Sequence, residues 1–127
     1  MAVARGETVL VVEDDPYNRR LMARILAQEG FQVEEAQNGA EAIRALARPR
    51  SPSDGLCLML LDLTLPQVNG FDVLRHCGQE ESHVPVVVVS ADHENLEAAV
   101  AAGAQATLEK PFDLENLLQV VDGCCLH

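Results

Sequence analysis

Glu13, Asp14 and Asp62 are carboxylates, Ser90 carries a hydroxyl, and Lys110 is the only lysine among 127 residues. Each stands at the end of a short strand-like run. Val9-Leu10-Val11-Val12 leads into Glu13-Asp14-Asp15, Leu58-Met59-Leu60-Leu61 into Asp62, Val86-Val87-Val88-Val89 into Ser90, and Ala106-Thr107-Leu108-Glu109 into Lys110. Ligands of open α/β sheets bind outside the carboxyl ends of the strands, so one site can gather all five residues. Carboxylates crowded at one edge repel each other and favour protonation unless a cation joins them, which suggests a divalent metal held by Glu13, Asp14 and Asp62. Magnesium is the natural candidate, with manganese as a substitute, because one or two carboxylates hold it while it keeps waters and engages phosphate oxygens. With that ion and the compact Lys110 ammonium neutralising the transferred oxygens, Asp62 can attack phosphorus and become an aspartyl phosphate. Ser90 would donate to a phosphoryl oxygen and turn new charge into loop movement. Singly these residues have plainer roles: a helix cap or dipole partner for the acidic run, a local cap for Ser90, a salt bridge for Lys110. Only the group points to phosphoryl chemistry.

The elements that must position this group alternate between β-rich runs and helical periodicity, which predicts five βα units around a parallel sheet. A strand near residues 8–13 precedes a helix capped by Asp15 and opened by Pro16, with Leu21, Met22, Ile25 and Leu26 as its buried stripe and Gly30 as its terminator. Phe31 to Ala36 reads as the second strand, Asn38-Gly39 as turn and cap, and Ala42, Ile43, Leu46 and Ala47 as the next apolar face. Residues 49–55 form a loop. Cys57 to Asp62 is apolar on both faces, as a central parallel strand requires. Pro66 and Gly70 punctuate the loop before a short helix around Phe71 to Cys77, and Pro85 introduces the valine-rich fourth strand. Residues 93–102 form a helix with a weak stripe of Leu96, Ala99 and Val100, closed by Gly103. A fifth strand ends at Lys110-Pro111, and Leu114, Leu117, Leu118 and Val121 line the last helix.

One domain fits this length, with a core of Val, Leu, Ile and Ala, since aromatics are 3% of the chain. The formal net charge of -11 argues against direct nucleic-acid binding, which needs clustered cations to release counterions. Arg19, Arg20 and Arg24 form a modest cluster on the first helix, read as a solvated face or a local docking surface. Nothing reaches the roughly 18 continuous apolar residues of a membrane span, and no signal-peptide core opens the chain, so a cytoplasmic protein is expected. Cys57, Cys77, Cys124 and Cys125 show neither a disulfide framework nor paired zinc spacing. Cys57 is expected in a strand, Cys77 on a helix face, and Cys124-Cys125 at a frayed end. His76, His83, His93 and His127 lack metal spacing and are read as surface or packing residues.

From Val9-Leu10-Val11-Val12-Glu13-Asp14-Asp15 through Asp62-Leu63-Thr64-Leu65-Pro66-Gln67-Val68-Asn69-Gly70 and Ser90-Ala91 to Lys110-Pro111-Phe112, the chain resembles the receiver domain of two-component response regulators. The resemblance implies a flavodoxin-like (βα)5 fold, a doubly wound five-stranded parallel sheet of order 2-1-3-4-5, in a single domain spanning 1–127 with its core at about 7–122. It implies Asp62 as phosphoacceptor, Asp14 as a direct Mg2+ ligand, Glu13 as an acidic neighbour acting through water, and Thr64 as a ligand through its backbone carbonyl. Ser90 matches the switch hydroxyl, Lys110 the phosphate-binding lysine, and Lys110-Pro111 a cis bond. The implied partners are a histidine kinase or histidine phosphotransfer protein and an unknown output protein or domain, with room for a phosphorylation-dependent homodimer. Thr64 and Asp92 occupy positions that tune hydrolysis. Thr107 departs from the pattern, standing where many receivers carry an aromatic switch residue, so a signal from Ser90 must travel through backbone and small side chains of the fourth and fifth βα regions, or be weak.

The switch is expected to be free-standing or the receiver module of a longer regulator, and not a turnover enzyme. A phosphohydrolase with Asp62 as nucleophile is disfavoured, because Asp62-Leu63-Thr64 lacks a second aspartate and no capping domain fits the length. A flavin- or nucleotide-binding fold-mate is disfavoured because no glycine-rich loop follows the first strand.

Overall fold

The computed structural model describes residues 8–48, 55–63, 72–75 and 84–125. In chain order these are β1 (Thr8–Val12), α1 (Pro16–Gln28), β2 (Gln32–Ala36), α2 (Gly39–Ala47), β3 (Leu56–Asp62), helical residues 72–75 as α3, β4 (Val86–Ser90), α4 (His93–Ala101), β5 (Ala106–Glu109) and α5 (Leu114–Cys125). The strands form one parallel sheet in the order β2-β1-β3-β4-β5. This is the doubly wound arrangement expected of alternating β and α segments.

Side-chain alternation divides the core in two. Leu10 and Val12 of β1 join Met59 and Leu61 of β3 beneath α2, α3 and α4, through Ala42, Val73, Leu74, Leu96 and Ala99. Val9, Val11, Leu58 and Leu60 face the other way, against Met22 and Leu26 of α1 and Leu117 and Val121 of α5. The central strands are therefore apolar at consecutive positions because both faces are covered.

Caps hold the helices in place as expected. The Asp15 carboxylate accepts from the Tyr17 N–H at 3.3 Å with Pro16 in the first turn, and Asn38 accepts from the Glu41 N–H at 2.8 Å. Gly30 and Gly103 end α1 and α4 with φ of 98° and 111°, a region that favours glycine. The Lys110-Pro111 bond is cis.

The apolar stripes are narrower than their sequences suggest. Leu21 is 45% exposed, Val100 56% and Leu114 53%, and Ala47 is exposed as well. Each lies at the border of its helix's apolar stripe. A larger correction concerns the cysteines: Cys57 and Cys125 form a disulfide across a separation of 68 residues, with Cα atoms 5.5 Å apart. The parallel topology lays the last turn of α5 over the start of β3, a contact that spacing along the chain cannot reveal. Cys125 is accordingly buried and helical, not frayed. Cys124 is a free, half-buried thiol whose pKa burial pushes up. Residues 49–54 of the loop expected at 49–55, the Pro66 and Gly70 turn, Cys77, and the ends of the helix around residues 72–75 lie outside the described residues. Among the described residues, no helix is long and apolar enough to cross a membrane.

Candidate functional site

Parallel register brings the strand ends level. Val12 pairs with Ala36 and Leu61, Asp62 with Val89, and Ser90 with Glu109. Glu13, Asp62, Ser90 and Lys110 thus meet at the carboxyl edge, as their order in the sequence predicts. Glu13, Asp62 and Ser90 are buried, while Asp14 is exposed. Ligand oxygens of Glu13, Asp14 and Asp62 all lie within 4.8 Å of one another. Lys110 reaches into this group from the end of β5, its Nζ 3.3 Å from Glu13 Oε1 and 3.3 Å from Asp62 Oδ2. Thr64 lies outside the described residues.

The electrostatics are those of carboxylates pressed together. Burial, then the hydrogen bond and negative charge of Asp62, push the Glu13 pKa up to about 8, although Lys110 pulls it down. At neutral pH Glu13 therefore holds a proton in the absence of a cation. Burial works against the Lys110 charge, but Asp62 and Glu13 outweigh it and raise its pKa, so the ammonium persists. A hard divalent cation fits this donor set: it would displace the Glu13 proton and relieve the repulsion between neighbouring carboxylates.

Ser90 connects the pocket to the next helix. Its Oγ accepts the Asp92 N–H at 3.0 Å, and Asp92 in turn caps α4 by accepting the Glu94 N–H at 2.9 Å. The Ser90 carbonyl accepts the Lys110 N–H at 2.9 Å, which fixes β5 against β4 beside the site.

Arg19 departs from the solvated face or docking surface expected of the α1 arginines. Its side chain is 14% exposed, with Nη1 donating to the Glu13 carbonyl at 2.9 Å and Nε to Glu35 at 3.2 Å. The signal was present: Arg19 lies one turn into α1, and helical side chains lean back toward the N-terminus, here toward the acidic loop. Arg20 and Arg24 are exposed, as expected. A cleft of about 620 Å³ also opens beside the pocket between α1 and the β5–α5 turn, with Leu21, Ile25 and Leu114 as apolar wall and Glu13 and Lys110 at its inner end.

A doubly wound α/β domain with a buried carboxylate, a lysine and a hydroxyl on adjoining strand ends defines a class of proteins built to meet a cation and an anionic group at one edge. The response regulator receiver domain profile matches residues 9–122, and the chain belongs to that family, whose members act in phosphorylation-dependent signalling. Response regulator MprA of a Mycobacterium species is 36% identical over 112 residues, which cover 87% of this chain and 46% of that protein. The DNA-binding transcriptional regulator NtrC of Escherichia coli K12 is 34% identical over 122 residues, covering 94% of this chain and 25% of NtrC. The chain thus spans less than half the length of these two regulators. Among solved structures, the receiver domain of the sensor histidine kinase PA1611 from Pseudomonas aeruginosa, with magnesium coordinated in its active-site cleft, superposes with a TM-score of 0.83 at 26% identity, covering 94% of this chain and 98% of that one.

Proposed function

We propose that the chain is a phosphorylation-dependent switch that accepts a phosphoryl group on Asp62 from a phosphohistidine of a kinase or phosphotransfer protein. One observation carries this reading: the Lys110 ammonium bridges two buried carboxylates at 3.3 Å each, within a three-carboxylate cluster that fits a divalent cation. Such a cluster has an evident use if a cation and a phosphoryl group are to enter it together.

In this mechanism an Asp62 oxygen attacks the phosphorus, the new O–P bond forms as the N–P bond of the donor imidazole breaks, and the imidazole leaves. Lys110 turns part of its charge toward the transferred oxygens, weakening its hold on the Asp62 carboxylate. Mg2+ held by Glu13, Asp14, Asp62 and the Thr64 carbonyl would supply charge neutralisation on those oxygens, and Mn2+ can replace it. Ser90 accepts from Asp92 and can still donate its own proton. Donation to a phosphoryl oxygen would pull the 90–92 turn, and with it the cap of α4. The cleft beside Leu21, Ile25 and Leu114 offers the donor's helix an apolar seat that ends at Glu13 and Lys110. An aspartyl phosphate that decays by hydrolysis makes the protein a switch and not an enzyme turning over a free substrate.

The same proposal includes 1–127 as one receiver domain, free-standing or as a module of a longer regulator, and an output partner met on the Ser90 to Lys110 side, with phosphorylation-dependent pairing of two copies as one form of output. Direct nucleic-acid contact is not part of it, given the charge of -11. The proposed location is the cytoplasm, where the thiol pool sets whether Cys57 and Cys125 are joined.

Wild-type protein and Asp62→Ala are incubated with a small acyl phosphate or amidophosphate, with and without Mg2+, and measured by intact mass. One added phosphoryl group requiring both Asp62 and Mg2+ is expected. Folded wild type that takes up no phosphoryl group, even with rapid trapping, would sink the proposal.

A further inference from the structure

We propose that Arg19 is a positioning residue that braces the Glu13–Asp14 peptide from the side of β2, and so sets the geometry in which the acidic cluster meets its cation. The inference rests on the metal-dependent reading of the site given above.

The peptide between Glu13 and Asp14 joins two of the three clustered carboxylates, so its orientation governs both side chains. It follows β1 and opens the turn into α1. Two bonds hold the Glu13 backbone there. Its N–H donates to the Ala36 carbonyl at 3.1 Å, and its carbonyl accepts from Arg19 Nη1 at 2.9 Å. Arg19 is in turn fixed by Glu35 through Nε at 3.2 Å, one residue before Ala36. The last two residues of β2 therefore hold Glu13 at both ends of its backbone, directly through Ala36 and through the Arg19 guanidinium from Glu35. An arginine serves here because its planar fork presents separate donors in fixed directions, one to each partner.

Charge distinguishes this role from a purely electrostatic one. A cation near an acidic cluster weakens metal binding by repulsion, so removing the Arg19 charge alone would tighten Mg2+ binding. Loss of a brace does the reverse, because groups that orient metal ligands typically carry 10–100-fold in affinity. The sign of the change therefore separates the two.

The test uses the full chain, with Mg2+ binding followed by calorimetry and phosphorylation by a small acyl phosphate followed by intact mass. Arg19→Ala is expected to bind Mg2+ about tenfold more weakly, with much of the labelling rate restored at saturating Mg2+. Arg19→Lys keeps the charge but cannot make both bonds, and is expected to fall between Arg19→Ala and wild type; it also carries the test if the alanine variant fails to fold. Far-ultraviolet circular dichroism in chelator checks the fold of each variant. Equal or tighter Mg2+ binding by folded Arg19→Ala would overturn the brace, and so would Arg19→Lys matching wild type. If wild type binds no Mg2+, the metal-site reading itself fails, and that result is distinct from either.

Discussion

The acidic corner and the α4 corner share the same carboxyl edge of the sheet but are built to opposite standards. At the acidic corner Glu13 and Asp62 are buried, Glu13 is held at its N–H and carbonyl, and Lys110 is tied to Ser90 through its backbone. At the other corner α4 buries only Leu96 and Ala99, leaves Val100 56% exposed, and hangs its cap residue Asp92 from the Ser90 hydroxyl. β5 beside it is an edge strand of four residues, with Thr107 half-buried where many receivers carry an aromatic ring. Chemistry that gathers like charges needs a preorganised frame, whereas a response needs an element that moves at small cost. One sheet edge can do both if packing is concentrated at one end of it.

The largest expected effect tests how much charge stress the rigid corner stores. Glu13 titrates near 8 in the folded protein against 4.5 as its ordinary value. Its folded pKa is raised, so the stability it contributes is full below about pH 4.5 and is lost as pH rises through 8. Metal-free protein should therefore lose up to about 4 kcal/mol from this group between pH 5 and pH 9. Denaturant unfolding in chelator measures this, and Mg2+ should flatten the curve by taking the place of the proton. A chelated protein equally stable at both pH values would remove the stored stress from the comparison.

Much of this frame was legible from residue order alone, because strand-end residues of a parallel sheet share one edge whenever the βα pattern is read correctly. Glu13, Asp62, Ser90 and Lys110 came together for that reason. Relations between helices and distant strands were not legible. Helical periodicity placed Leu21 and Leu114 inside, but a stripe read from sequence has no depth, and both rim the cleft instead. Arg19 looked like its neighbours Arg20 and Arg24 because charge pattern carries no direction; only the position of the Glu13 carbonyl and of Glu35 turns it inward. Cys57 and Cys125 were unconnected for the same reason, since nothing local marks a contact across 68 residues.

That disulfide gives the second test. It fastens the end of α5 to β3, on the firmly packed side, while no described bond of this kind holds α4. Closing so long a loop restricts the unfolded chain, and reduction is expected to cost about 3 kcal/mol. Thiol alkylation with mass spectrometry before and after reductant counts the bond, and hydrogen exchange reports where protection is lost. The loss should fall on α5 and leave α4 almost unchanged. Equal loosening of both helices would mean that the two corners are one cooperative unit.

The smallest expected effect, a difference of about 2 kcal/mol between two substitutions, is the most direct measure of the contrast. Leu60 lies at 1% exposure in the central strand beneath α1 and α5, and Leu96 at 6% on α4. Both lose the same atoms on substitution by alanine, so the transfer term is nearly equal and the remainder reports how far the surroundings can collapse. Around Leu60 the neighbouring strands fix the walls, and Leu60→Ala should cost about 4 kcal/mol. Around Leu96 a lightly held helix can settle into the space, and Leu96→Ala should cost about 2 kcal/mol. Its Mg2+ affinity should stay at the wild-type value, because nothing that α4 buries braces Glu13 or Asp62. Equal costs in chemical denaturation would show that α4 is as firmly seated as the strands, and a switch at Ser90 would then need another element to move.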